Sequence, residues 1–197
     1  EAQAMDEYLE NRKDFRIVPP VDKPEFGVVK ALAVVGDPKE GRSAGVMNPV
    51  AAQVYLLDDP KLAPGEIILT GTTKDQESWV QDSIQHVRTA IKKLYGIDLA
   101  KQTYAAVSFA QSKGTEGPSA GVSMTLAIMS CLGDPRLPAV HPGSDKCMEH
   151  KAHRKPVPIR QDVAVTGTIE LLPDPLNPSN VRIGYIGGVA DKIQGAH

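Results

Sequence analysis

A serine and a lysine, far apart in the chain, are the two residues whose surroundings suggest covalent chemistry. Ser119 lies in the segment KGTEGPSAGVSM (113–124), between Pro118 and the small residues Ala120 and Gly121, at the beginning of an apolar run. This placement has two interpretations: Ser119 begins a buried helix as its cap, or its hydroxyl is a nucleophile. The segment by itself does not separate them.

A serine nucleophile requires a base that removes the hydroxyl proton. The five histidines lie in a helical region, in one long loop and at the last residue, so none is well placed. A lysine can serve only if burial lowers its pKa from the ordinary value of about 10.4. Lys192 has four apolar neighbours at near-helical spacing: Ile186, Val189, Ile193 and Ala196. The alternative is an exposed lysine on a surface helix.

The elements that must position these residues alternate between strand and helix patterns. Strands are predicted over residues 27–35, 46–57, 65–71, 103–110 and 161–172. Helices are predicted over 1–17, between Thr73 and Gly96, over 119–132, and after Gly187 and Gly188. The helix that follows Thr73 carries a stripe of five apolar residues: Val80, Ile84, Val87, Ile91 and Leu94. This order predicts an α/β or α+β layered fold.

Composition limits the class of protein. The chain has 197 residues, of which 41% are hydrophobic and 23% charged, as expected for one globular domain. The net charge of −2 argues against a general affinity for nucleic acid or membranes. Two cysteines provide no disulfide framework, and we find neither a transmembrane pattern nor a signal peptide. We therefore expect a cytoplasmic protein.

Two further patterns have simpler interpretations than the sites they suggest. Residues 36–43 approach the phosphate-binding pattern, but Arg42 replaces its lysine and a strand pattern follows, which favours a hairpin loop. Four potential zinc ligands occur in the loop 134–158, namely His141, Cys147, His150 and His153. Their spacing matches no standard zinc motif and lysines and arginines surround them, so a solvated basic loop is favoured.

Three motifs, in this order, resemble those of the Lon protease proteolytic domain. They are Gly117–Gly121 (GPSAG), Asp162–Gly167 (DVAVTG) and Gly187–Lys192 (GGVADK). Upstream, MDEYLENRKDFRIVPP (5–20) and VVKALAVVGD (28–37) resemble the join between the ATPase and protease parts, especially in the archaeal-type branch. The similarity extends over nearly the whole chain.

The resemblance implies an α/β domain similar to a ribosomal small-subunit protein. Ser119 then takes the position of the nucleophile and Lys192 that of the general base. Thr166 takes the position whose hydroxyl orients the lysine, and Glu116 that of an acidic residue near the pair. Gly117 and Pro118 complete the site by giving the substrate backbone close access and stiffening the turn.

The same resemblance implies a serine endopeptidase that cleaves unfolded or damaged proteins. Such a domain works in a homohexamer with an AAA+ ATPase module, fused or separate. ATP and magnesium are expected only on that ATPase, and this chain is expected to carry no cofactor. The alternative is a catalytically silent scaffold or a regulatory module of a larger ATPase assembly.

The sequence departs from the family in several places. Residues 134–158 and 173–182 resemble inserted loops between the two motif residues Ser119 and Lys192. Thr168 stands where the family usually has glutamate. The chain ends at His197, where family domains continue. We therefore expect a linker helix over 1–20 and, over 21–197, a proteolytic domain truncated at its C-terminus.

Overall fold

The computed structural model describes residues 23–37, 42–57, 59–71, 77–110, 118–136, 157–171 and 181–196. Several expected features lie outside these ranges: the linker helix, Thr73 before the second predicted helix, Glu116, Gly117 and the four potential zinc ligands. The same is true of most of the two expected insertions, 134–158 and 173–182.

Seven strands form two sheets in the described part of the chain. They are β1 (Val28–Asp37), β2 (Arg42–Leu56), β3 (Ile67–Thr70), β4 (Thr103–Phe109), β5 (Ala164–Val165), β6 (Thr168–Leu171) and β7 (Val181–Gly184). The larger sheet has the order β3-β4-β2-β1-β5, and β6 pairs with β7 in the smaller one. The pairs β1–β2, β2–β4 and β6–β7 are antiparallel, whereas β3–β4 and β1–β5 are parallel.

The described residues also form four α-helices: α1 (Glu77–Tyr95), α2 (Leu99–Gln102), α3 (Gly121–Leu132) and α4 (Val189–Gln194). Two 3₁₀ turns, Pro60–Leu62 and Pro118–Ala120, occur as well, and the second leads directly into α3. This mixed architecture confirms the predicted α/β layered class. Among the described residues, no helix combines the length and the apolar character needed to cross a bilayer.

The core lies between one face of the larger sheet and the helices α1 and α3. Alternate residues of the central strands, such as Val29 and Val50, are fully buried there. The helices contribute Ile91 from α1 and Ile128 from α3, both with no exposed surface. The apolar stripe predicted for α1 is thus buried except at its end, where Leu94 is 50% exposed because the helix finishes at Tyr95.

The prediction of one continuous strand over residues 161–172 is wrong. The structure divides it into β5, which pairs with β1, and β6, which pairs with β7 in the other sheet. The division occurs at Thr166 and Gly167, because the N–H and C=O of Gly167 bond the Ser119 carbonyl and the Val122 N–H instead of a strand. Tertiary contacts therefore override the local strand pattern.

The prediction of a loop over residues 173–182 is also wrong at its C-terminal end. Val181 and Arg182 are the first residues of β7, and Arg182 forms an ion pair with Glu170 on β6. Cross-strand pairing of this kind stabilises a short antiparallel ribbon. The Pro-rich composition of the preceding residues favours a loop, so the sequence did not indicate this strand.

Helix α4 packs against the other face of the β1–β2 hairpin. Strand register places Ser43, Gly45 and Val34 on the face opposite Val29 and Val50. The backbones of Gly45 and Gly195 are in contact, and a Cβ on Gly45 would overlap the carbonyl of Asp191. Only glycine at position 45 therefore allows α4 to approach this closely.

We predict that Gly45→Ala lowers the free energy of unfolding by about 1–3 kcal/mol, because the new methyl group displaces α4. Chemical denaturation monitored by circular dichroism measures the change. Gly187→Ala is the matched control: a Cβ at Gly187 has nothing within 4 Å, so its unfolding free energy should equal or slightly exceed that of wild type. Equal losses in both variants would contradict the close contact at Gly45.

Candidate functional site

An open cavity of about 380 Å³ lies where the turn before α3 meets the segment that leads into α4. Its volume is within the range of small-molecule and peptide side-chain sites. Ser119 and Lys192, the two residues singled out in the sequence, both line it. The structure thus brings together two side chains that are distant in the chain.

Ser119 is the middle residue of the 3₁₀ turn Pro118–Ala120 and lies two residues before Gly121, where α3 begins. Its carbonyl accepts a hydrogen bond from the Gly167 N–H (2.9 Å), and the Pro118 carbonyl accepts one from the Ser83 hydroxyl (3.4 Å). These bonds hold the turn between α1 and the β5–β6 segment. Ser119 itself lines the cavity.

The close packing of Gly121 strengthens this arrangement. A Cβ at Gly121 would lie 3.1 Å from the backbone nitrogen of Ile169, and one at Gly167 would lie 2.8 Å from a methyl group of Val122. The two glycines let the start of α3 and the start of β6 touch through their backbones. The position of Ser119 therefore depends on residues that come almost fifty positions later.

Lys192 is only 5% exposed, although it belongs to a short helix at the edge of the fold. Burial lowers the pKa of its amine, because the charged form loses hydration. Of the four apolar neighbours predicted from the sequence, Val189 and Ala196 are exposed, whereas Ile186 and Ile193 are partly buried. Helix α4 packs on the β1–β2 hairpin, so strands distant in the chain also cover this helix.

The described residues place no hydrogen bond between the Ser119 hydroxyl and the Lys192 amine. The two groups share one cavity, and catalytic hydrogen bonds are often long or misaligned until a substrate binds. The amine also has no ion-pair partner among the described residues. It is a buried amine in a residue that lines the cavity.

Thr166 lies on the serine side of the site. Its hydroxyl donates to the Ser119 carbonyl at 3.5 Å, and no hydrogen bond joins it to Lys192 within the described residues. The role in orienting the lysine therefore stays a prediction. Pro118 lines the cavity as expected, whereas Glu116 and Gly117 lie outside the described residues, and their roles also stay predictions.

Three residues of the cavity had no assigned role in the sequence. Thr168 lines it, and its hydroxyl donates to the Tyr185 carbonyl at 3.4 Å. Tyr185 forms the rim with a ring that is 95% exposed. Asp191 lines the cavity next to Lys192. A signal was available for Asp191, because an acidic residue stands directly before the candidate base in the sequence.

The pattern over residues 36–43 keeps its simpler interpretation as a hairpin. Ser43 lies within β2, so the loop that precedes it joins two antiparallel strands, as the hairpin interpretation predicted. Within the described ranges, no group of three or more His, Cys, Asp or Glu side chains is placed to hold a metal ion. The loop with the four potential zinc ligands is not among those ranges.

The fold is mixed α/β, and one of its cavities is lined by a serine at a helix start and by a buried lysine. The chain is similar along its whole length to archaeal Lon proteases, which is consistent with a Lon proteolytic domain of the archaeal type. It is 28% identical to the archaeal Lon protease of Thermococcus kodakarensis over 196 residues. The identity is 27% with that of Archaeoglobus fulgidus and 26% with that of Halobacterium salinarum.

In each case the alignment covers 100% of this chain but only 24%, 25% and 22% of the relative, respectively. The chain therefore spans about a quarter of the length of the curated relatives it matches. No protein-family model matches the chain.

Lys192→Met should raise the melting temperature at pH 7, because methionine occupies the same buried position without a charge. In wild type, the pKa of Lys192 is lowered in the folded state. At pH values between that lowered pKa and about 10.4, the unfolded protein keeps a proton on this lysine that the folded protein has released. Wild-type stability therefore rises with pH through that window, and the advantage of Lys192→Met disappears above it. Thermal unfolding at pH 7 and at pH 10.5 measures both effects.

Lys101→Met is the matched control, because Lys101 is exposed on α2. It should leave the melting temperature close to that of wild type at both pH values. Equal effects of the two substitutions would show that the Lys192 amine is solvated in the folded protein.

Proposed function

We propose that this chain is the peptidase unit of a Lon-type serine endopeptidase, with Ser119 as the nucleophile and Lys192 as the general base. The observation that carries the proposal is the shared cavity, which is lined both by Ser119, a serine at a helix start, and by Lys192, which is 5% exposed. The similarity to Lon proteases along the whole chain supports the same reaction class.

The first step follows from the chemistry of the two side chains. The neutral Lys192 amine accepts the Ser119 proton while the Ser119 Oγ attacks the carbonyl carbon of a peptide bond. The lowered lysine pKa favours this step, because a larger fraction of the amine is neutral near pH 8. The product is a tetrahedral intermediate that carries a negative oxygen.

Backbone N–H groups at the start of α3 are the natural donors for that oxygen. Each such donor contributes roughly 3 kcal/mol to acyl transfer. The Val122 N–H is not available, since it donates to the Gly167 carbonyl. Pro118 has no N–H, and the 3₁₀ turn engages the N–H groups of Ala120 and Gly121 in its own hydrogen bonds, so we assign the role to the Ser119 N–H.

The remaining steps return the enzyme to its starting state. As the intermediate collapses, the C–N bond breaks and the Lys192 ammonium gives its proton to the leaving amine. An acyl-enzyme remains on the Ser119 Oγ. Lys192 then removes a proton from water, which attacks the ester and releases the second product.

The wider setting is part of the same proposal. The substrates are unfolded or damaged proteins, because the chain contributes a peptidase cavity and ATP-driven unfolding belongs to an AAA+ module in cis or in trans. ATP and magnesium bind on that module, with no cofactor on this chain. We propose a homohexameric ring in the cytoplasm, in line with the resemblance to Lon.

The test is hydrolysis of a fluorogenic peptide and of unfolded casein by the natural full-length protein and its variants. Ser119→Ala and Lys192→Ala should each lower kcat/KM by at least about a thousandfold, because each removes one half of the reacting pair. Ser108→Ala and Lys101→Met are the matched controls. Ser108 bonds the Ala51 carbonyl within the larger sheet, and both controls should retain wild-type activity.

Hydrolysis that survives Ser119→Ala would exclude the assignment of the nucleophile. A wild-type protein that cleaves neither substrate, with its ATPase module and ATP present, would favour the alternative of a catalytically silent scaffold or regulatory module.

A further inference from the structure

A hydrogen bond outside the proposed catalytic pair joins two elements of the site. The Ser43 hydroxyl on β2 donates to Oδ2 of Asp191 on α4 at 2.8 Å. Asp191 directly precedes Lys192 in the chain, and both side chains line the cavity. Neither Ser43 nor Asp191 has a role in the mechanism above.

An acidic side chain at this position can interfere with a lysine that acts as a base. A carboxylate within about 4–6 Å of an amine favours the protonated form and raises the amine pKa. A lysine held in an ion pair stays protonated near physiological pH. Its amine then cannot accept the Ser119 proton. A carboxylate in the same cavity would therefore inactivate Lys192 if it turned toward the amine.

The structure shows that Asp191 does not turn in this way. Both residues lie within the described part of the chain, and no ion pair or hydrogen bond joins them there. The carboxylate is directed to Ser43, whose backbone is held in register with Gly36 of β1. The contact between Gly45 and Gly195 keeps α4 at this distance from β2.

Within the described residues, the elements around α4 carry few other charged groups. Of the described residues that line the cavity, Tyr185 is the other titratable one. On the two strands under α4, Asp37 and Arg42 form the last register pair of the hairpin, and Lys30 lies at the other end of β1, near Asp162. On the smaller sheet, Glu170 is paired with Arg182. Asp191 is the acidic group nearest to Lys192 in the chain.

We propose that Ser43 is a positioning residue that holds the Asp191 carboxylate away from the Lys192 amine and so keeps the lysine competent as a base. The inference rests on the proposed function for its catalytic meaning, but the geometry it describes can be measured without activity. Ser43 suits the task because its hydroxyl is a neutral donor on a rigid strand, so it binds the carboxylate without adding a charge.

The first experiment measures the protonation of Lys192 directly. Trace acetylation with acetic anhydride across a pH series, followed by peptide mass spectrometry, gives the midpoint at which the amine becomes reactive. Ser119→Ala serves as the parent, so that no acyl group passes through the serine. Adding Ser43→Ala should raise the Lys192 midpoint by about one pH unit, because the released carboxylate pairs with the amine.

Two matched variants separate charge from packing. Ser43→Thr keeps the hydroxyl and should retain the midpoint of the parent. Ser43→Ala combined with Asp191→Asn should also return to that midpoint, because the amide carries no charge. An unchanged midpoint in Ser43→Ala would overturn the proposal, and so would an equal rise with and without Asp191→Asn.

The second experiment links the geometry to activity. With Ser119 intact, Ser43→Ala should lower kcat/KM for the peptide about tenfold on the acid side of the pH profile and much less on the alkaline side. The double variant should recover most of the loss. If acetylation follows these expectations while no variant or wild type cleaves peptide, the positioning stands and the proposed function fails. A uniform loss at all pH values would overturn the positioning role.

Discussion

The approach of a six-residue helix to a β-hairpin through two glycines is the contact on which the site depends. Isolated helices as short as α4 are not stable in water, so its position must come from packing. Gly45 and Gly195 allow the backbones of β2 and α4 to touch, and Gly188 begins the helix with a left-handed φ of 65° beside Val34. Without this contact, Lys192 would be an exposed lysine of a frayed helix.

The contact has an energetic consequence. A buried amine without an ion-pair partner in the described structure opposes folding, because its hydration is lost. The apolar core between the larger sheet and the helices α1 and α3 offsets that cost, with residues such as Ile91, Met124 and Val107 fully buried. Violations of ordinary folding rules are expected at functional sites, where the rest of the fold compensates for them.

The position of Ser119 depends on a different set of contacts. Gly167 uses both its N–H and its carbonyl to bond the turn around Ser119, so the backbone that carries the hydroxyl is held from two directions. The same residue separates β5 from β6 and directs the chain from the larger sheet to the smaller one. One backbone position therefore divides the sheets and fixes the serine, while the hairpin fixes the lysine independently.

The sequence by itself determined the element types, the α/β class, and the two side chains suited to the chemistry. Regular patterns such as the apolar stripe of α1 depend only on local periodicity, so they can be recognised without a structure. Tertiary structure decided the break at Gly167, the strand at Val181, and the burial of Lys192. Each of these depends on residues outside the local segment, since the helix that carries Lys192 packs on β1 and β2. Local pattern cannot contain that information, because burial and backbone contact exist only once distant segments have packed together.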